Sequence, residues 1–518
     1  MYASNCIKKL LINKNNIKKY NIKDLFAIDK LRFEHFSHYF NGILFDFSNQ
    51  HINKKTIKLL VSLAEARDVK DKILDLFKKN SISSKVDTTN MHVYMRNFFE
   101  LQRNDLPCWR KIKKVSESLN QGKYTIYQDL NVNSVISLGI GGSHIGHLMG
   151  NYAFKKNYRS KCTVYSISSL DSKQLIRVLL EVNLKRTICI INSKSFTTME
   201  TINNANILKS WFKHNKLCFK KHFFAITSKK NIAFEFGIDK KNIFSFDEGI
   251  GGRYSISAFI GFTLCINIGY NNFKKLLDGF NIMDNHFKNM PLNENIPFLM
   301  GSIGFWNNNI NNFYAHSLIS YSSSLKYFVK YLQQLEMESN GKLVNNNYNI
   351  VNYRTSPIIW GGTGPEVQHT FMQFLHHNNQ VSPVDFIIPV KNIHFSSNMD
   401  KLNIFSVLSQ IKSLAEGSQR SNGMLYCPGN RPSTALILND ITYSTIGCLM
   451  ACYEHKIYIQ SILWQTNAFD QQGVELGKKN INNISQTNLE YDSYVKSKKK
   501  KFHQNIFSLM AYARKFFL

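Results

Sequence analysis

Several short segments of this sequence gather side chains able to hold an anion or move a proton. In Gly139-Ile-Gly-Gly-Ser-His-Ile-Gly146, glycines let the backbone approach a ligand, and Ser143 adds a hydroxyl donor. A helix following it would offer free N–H groups and a positive dipole end. The spacing is not the GxGxxG of a dinucleotide fingerprint, so the segment reads as an anion site or as a tight turn without ligand. In Asn192-Ser-Lys-Ser-Phe-Thr-Thr-Met-Glu-Thr201, Ser193, Ser195 and Thr198 can donate to phosphate oxygens, and Lys194 adds a point charge. Its alternative is ordinary N-capping, which needs only one hydroxyl.

Glu248-Gly-Ile-Gly-Gly-Arg-Tyr-Ser255 presents one guanidinium, Arg253, after a crowded backbone. It faces either a ligand or an internal carboxylate. Tyr331-Leu-Gln-Gln-Leu-Glu-Met-Glu-Ser-Asn-Gly-Lys342 ends a helix at Glu338, where a carboxylate could serve as a general base. Two acids so close, Glu336 and Glu338, ordinarily mark a solvated face. His369 follows a strand and a Gly-rich loop and can shuttle protons near neutral pH, or simply satisfy local hydrogen bonds. His376 and His377 come soon after it without acidic or Cys companions, so no metal site is expected. Phe469-Asp-Gln-Gln-Gly-Val-Glu-Leu-Gly-Lys478 presents Gln471 and Lys478 on a helix surface.

These segments need a scaffold. Helical spacing runs from Thr56 to Phe77, and the first hundred residues read as mostly helical. Short apolar runs follow at Ser134–Leu138, Thr163–Ile167, Thr187–Ile191 and Phe223–Thr227, separated by helical stretches. A second set appears at Pro357–Trp360, Asp385–Ile388 and Ala435–Leu438. This alternation predicts βαβ units and two α/β sheets. The first two anion segments follow strands of one parallel sheet, so they should meet at its carboxyl edge.

The chain of 518 residues is 43% hydrophobic, which excludes a mainly disordered protein. Its net charge of +30 invites a nucleic-acid hypothesis. The lysines are dispersed among Asn and Ile, however, and form no basic stripe with aromatic platforms. The run Lys498–Lys501 reads as a solvated tail. Nine scattered cysteines include no CxxC pair, which argues against a disulfide scaffold or zinc site and fits a reducing cytosol. The basic N-terminus lacks the apolar core of a signal peptide. The uncharged stretch Tyr254–Phe273 carries Ser, Asn and Gly and reads as a buried helix rather than a membrane span.

In this order, GIGGS, SKSFTT, GGRYS, QQLEMESNGK, VQH and FDQQGVELGK resemble the phosphoglucose isomerase family. The resemblance runs from Ile22-Lys-Asp-Leu-Phe26 and Met95-Arg-Asn97 to Gly429-Asn-Arg-Pro-Ser433 and Tyr453-Glu-His-Lys456. It implies an α/β fold of two sugar-isomerase (SIS) subdomains, each a parallel β-sheet sandwiched by helices, with a helical N-terminal part. Placed on this chain, the parts are 1–110, helical; 111–285, the first subdomain with the phosphate loops; 286–500, the second; and 501–518, a helical tail. The implied reaction interconverts glucose 6-phosphate and fructose 6-phosphate by ring opening and proton transfer between C1 and C2. Ser143, Ser193, Lys194, Ser195 and Thr198 would hold the phosphate, with the Gly142 backbone nearby. Glu338 would carry the proton and Arg253 would steady the charge. His369, from the neighbouring subunit of a homodimer, would open the ring with Lys478. Gln334 and Gln471 would bind substrate. No metal or organic cofactor is implied, nor a nucleic-acid or membrane partner, and the location would be cytoplasmic.

The sequence departs from the family pattern at His144, usually Asp, at His147, often Pro, at Ser195, commonly Thr, and at Gln472 and Val367. None of these removes a proposed catalytic side chain. Two rival readings are a sugar-phosphate sensor without turnover and a basic nucleic-acid-binding protein. The joint presence of Glu338, Arg253, His369 and Lys478 argues against a sensor, which has no use for all four.

Overall fold

The computed structural model describes residues 2–78, 92–94, 96, 107–127, 130–154, 160–246, 248–391, 397–418 and 426–489, and single positions 509, 512, 513 and 516. The run Lys498–Lys501 and most of the tail 501–518 lie outside the described residues, as do Met95 and Asn97. The chain divides into two units, Met1–Phe469 and Asp470–Leu518.

The first unit holds two main sheets. A hairpin comes first, β1 (Ser37–Phe40) and β2 (Ile43–Asp46). The first main sheet contains β3 (Ser134–Leu138), β4 (Thr163–Ile167), β5 (Thr187–Asn192), β6 (Phe223–Thr227) and β7 (Ile243–Ser245). All pair in parallel in the order β4-β3-β5-β6-β7. The central runs are apolar without alternation because helices cover both faces; every residue of β3, β5 and β6 is buried.

The second main sheet contains β8 (Ala315–Ser320), β9 (Ile358–Thr363), β10 (Val384–Lys391) and β11 (Ser433–Asp440), again parallel. Its order is β1-β2-β11-β10-β8-β9, with β2 antiparallel to β11. The mostly helical N-terminal part therefore also supplies a sheet edge, which was not anticipated. Nor was β8, whose run Ala-His-Ser-Leu-Ile-Ser hides buried polar residues in a central strand. The glycines before His369, expected in a loop, end β9.

The helical spacing of Thr56–Phe77 resolves into two helices, Lys54–Glu65 and Val69–Leu76, parted at Asp68, which has φ +53°. Tyr254–Phe273 is buried as expected but is not one helix. It breaks into short 3₁₀ turns, the helix Phe262–Ile268 and the start of a longer one, with Gly261 and Gly269 at the breaks. Among the described residues no helix is long and apolar enough to cross a membrane. The helix Tyr443–Trp464 is buried almost all round and packs on Tyr270–Asn289 and Ile296–Phe305.

Candidate active site

In chain order the first sheet runs 2-1-3-4-5. Crossovers leave its first and third strands toward opposite sides, which opens a crevice at their carboxyl ends. Those strands, β3 and β5, are direct neighbours with Leu138 opposite Ile191. Their loops, Gly139–Ser143 and Ser193–Thr198, thus leave the sheet side by side, as expected. A Cβ on Gly139 would stand 3.2 Å from the Asn192 Cβ. Asn192 Nδ2 donates to Ser137 Oγ at 2.9 Å, fixing the end of β5.

Both loops are held through their own main chain. Gly141–Ser143 forms a 3₁₀ turn entering the helix Ile145–Ala153. A Cβ on Gly142 would fall 2.1 Å from the carbonyl carbon of Gly252 and 2.5 Å from the Arg253 nitrogen. Only glycine lets these two backbones touch. In the second loop the Lys194 carbonyl accepts from Thr227 Oγ1 and Ser228 Oγ, both at 2.9 Å. Thr198 takes the N-cap position of helix Met199–His214 but makes no side-chain capping bond; its Oγ1 accepts from Ser193 Oγ at 3.3 Å. The hydroxyl cluster is therefore not explained by capping.

The first loop also touches the base candidate's segment. A Cβ on Gly141 would lie 3.2 Å from Gln334 Nε2. That amide donates to Glu338 Oε2 at 2.8 Å. Arg253 Nη1 donates to Glu338 Oε1 at 3.1 Å. Glu338 ends a π-helical turn, Gln333–Glu338, a geometry that recurs at functional sites. Its side chain keeps 19% of its exposure while that of Arg253 keeps 1%, so the carboxylate alone reaches the opening. Gly142, Gly252, Arg253, Glu338, Gln334 and Gly141 close into a ring of contacts.

Glu336 corrects the expectation of a solvated acidic face. It is fully buried, and Lys456 Nζ donates to its Oε2 at 2.7 Å. The turn is pinned at two further points on helix Tyr443–Trp464. Tyr331 OH donates to Glu454 Oε1 at 3.3 Å, and Asn340 Nδ2 donates to the Ile457 carbonyl at 3.1 Å. Burial, with the Glu454 carboxylate adding to it, pushes the Tyr331 phenol well up, so it remains a donor. Behind this row, Arg96 grips both oxygens of Asp284 at 3.0 Å and also pairs with Glu454. His455 Nε2 lies 2.7 Å from Asp284. A charge this deep is tolerable only when paired. A helix apolar on every side that contains Glu-His-Lys was the available signal for this network.

His144 and His147 follow the first loop, at the start of the next helix, and are buried. Burial, then nearby Lys330, lowers His144 to about 4; burial, then His144, lowers His147 to about 3. Both are neutral near pH 7, and their rings meet edge to face at 5.3 Å.

His369 caps the short helix Gly364–Gln368 and is exposed. Among the described residues no side-chain hydrogen bond joins it to the Arg253–Glu338 pair. His376 is used locally, with Nε2 2.8 Å from Gln410 Oε1. Gln471 and Lys478 belong to the second unit. Gln471 precedes the helix Gln472–Leu489, and exposed Lys478 lies 2.6 Å from Glu475.

The phosphoglucose isomerase family model matches residues 46–503. A glucose-6-phosphate isomerase of Wigglesworthia glossinidia brevipalpis is 37% identical over 90% of each chain. That of Helicobacter pylori strain Shi470 is 34% identical over 91% of this chain and 92% of the relative. The crystal structure of a glucose-6-phosphate isomerase from Chlamydia trachomatis superposes with a TM-score of 0.82 at 27% identity, covering 95% of this chain and 96% of the other. The fold, the two touching loops and these relatives lead to one conclusion: the chain belongs to the phosphoglucose isomerase family.

Proposed function

We propose that this chain interconverts D-glucose 6-phosphate and D-fructose 6-phosphate. The observation that carries the reading is the Glu338 carboxylate held between Arg253 and Gln334, directly under the Gly141–Gly142 turn. Ser143, Ser193, Lys194, Ser195 and Thr198 hold the phosphate with the Gly142 backbone, and no metal or organic cofactor enters. In the open-chain aldose, Glu338 takes the C2 proton. The electron pair moves into an enediolate whose negative charge Arg253 faces. Glu338 then returns the same proton to C1, and the hydroxyl proton moves from O2 to O1. Such a step contributes roughly 10²–10⁴-fold. The remote phosphate contacts stop the opened chain from rotating between the two transfers. Gln334 and Gln471 bind the sugar. Lys478 and the partner subunit's His369 open and close the ring, which makes the active form a homodimer. The chain works in the cytoplasm without nucleic-acid or membrane partners. The partition into 1–110, 111–285, 286–500 and 501–518 belongs to the same reading and is supported by one parallel sheet in each of the two middle parts.

Turnover of fructose 6-phosphate by the purified chain tests the activity. Conversion to glucose 6-phosphate is expected; binding without conversion would make the protein a sensor. Mixing His369→Ala and Glu338→Gln subunits tests sharing across the dimer. Partial recovery of activity is expected, and none in verified heterodimers would remove His369 from the neighbouring site.

A further inference from the structure

We propose that Ser339 is a positioning residue for the isomerisation, acting through Arg253. The inference rests on the assignment of Glu338 as base and Arg253 as its electrostatic partner. Arg253 is gripped along each of its nitrogen directions. Nη1 donates to Glu338 Oε1 at 3.1 Å, Nε donates to Ser339 Oγ at 2.6 Å, and Nη2 donates to the Ala468 carbonyl at 2.6 Å. Consecutive residues of one turn, 338 and 339, thus define two of the three directions of a planar group.

These three acceptors, all among the described residues, differ in one respect. Glu338 changes charge during the reaction, because its carboxylate becomes a neutral acid while it holds the substrate proton. The ion pair on Nη1 is then weakest at the moment when the enediolate charge is largest. The hydroxyl of Ser339 and the carbonyl of Ala468 carry no proton that the reaction moves. They keep the guanidinium plane fixed while its attraction shifts from Glu338 to the substrate. Ser339 is the only side chain of these two neutral anchors. It is itself held, with Tyr254 OH 2.9 Å from its Oγ. Tyr254 is buried and stacks on His92 with ring centroids 4.6 Å apart. Burial raises its phenol, so the hydroxyl stays protonated.

The test is steady-state kinetics with fructose 6-phosphate on the full chain and on S339A, S339T, R253K and the double variant S339A/R253K. S339A should lower kcat by about ten- to a hundred-fold, the worth of one hydrogen bond to a charged group, with KM unchanged. S339T should recover most of that loss. In the R253K background, adding S339A should change kcat little, since the residue acts through the guanidinium. Wild-type kcat in S339A would overturn the inference, as would the same fold-loss in both backgrounds. Where S339A does not fold, Tyr254→Phe replaces it. A fall in kcat confined to the Arg253 background supports the proposal, and unchanged kcat ends it. The underlying reading fails separately: normal turnover by E338Q or R253K would remove the base or its partner, whatever Ser339 does.

Discussion

The loops proposed to hold the phosphate and the turn that carries Glu338 are built by different means. The loops are held through their own main chain, with Gly142 against the Gly252 backbone and the Lys194 carbonyl accepting from the Ser228 N–H. The turn is braced by buried side-chain charge, with Lys456 on Glu336 and Glu454 bound by Tyr331 and Arg96. The contrast follows from what each region must do. Backbone N–H groups are aimed once the chain path is set, which suffices for an anion. The proton transfer proposed for Glu338 needs its side-chain torsions and its surroundings fixed as well, and that takes support from behind.

The strongest way to sharpen the contrast is Glu338→Gln. Turnover should fall about 10³-fold while inhibition by inorganic phosphate stays as in the wild type. Loss of both together would mean that the two regions are not separable. Next is Gly142→Val, which drives a side chain into the Gly252 backbone. About 1–3 kcal/mol of overpacking is expected, with kcat/KM lowered about 100-fold and phosphate inhibition weakened, read by urea unfolding and kinetics. An unperturbed phosphate constant would break the assignment of this loop to the anion.

Lys456→Met should cost about 3–5 kcal/mol of stability by leaving Glu336 buried and unpaired. Adding Glu336→Leu should recover much of it, again without moving the phosphate constant. A single variant as stable as the wild type would refute the brace. The smallest effect concerns His144 and His147. Their folded pKa values, about 4 and about 3, lie below the unfolded value near 6.5. The unfolded chain therefore binds more protons below pH 6.5. Stability should be full above that pH and fall as pH drops toward 4 and then 3. His147→Leu should flatten that slope in unfolding curves taken between pH 6.5 and 4; an unaltered slope would show that other groups set it.

Legibility in the sequence divides along the same line. Strands with continuous apolar runs, such as Thr187–Ile191 and Phe223–Thr227, were readable because burial on both faces leaves that mark. The loops after them were readable because glycines and hydroxyls cluster locally. The strand Ala315–Ser320 was not, since buried His316, Ser317 and Ser320 interrupt the apolar run. The hairpin Ser37–Asp46 was missed because its strands are short and join a distant strand, β11. The brace was hidden for a related reason. Arg96, Asp284 and Glu454 lie far apart in the chain, and a lone charge carries no sign of its partner. Glu336 read as solvated for want of Lys456.

Peptide touches peptide at Gly142 and Gly252, with no rotamer in between. The spacing between the Gly141–Ser143 turn and the Arg253 backbone is thus set by main chain alone, and only the guanidinium end depends on the side chains that grip it. Under the proposed assignment, a sugar meets that fixed spacing before any proton moves.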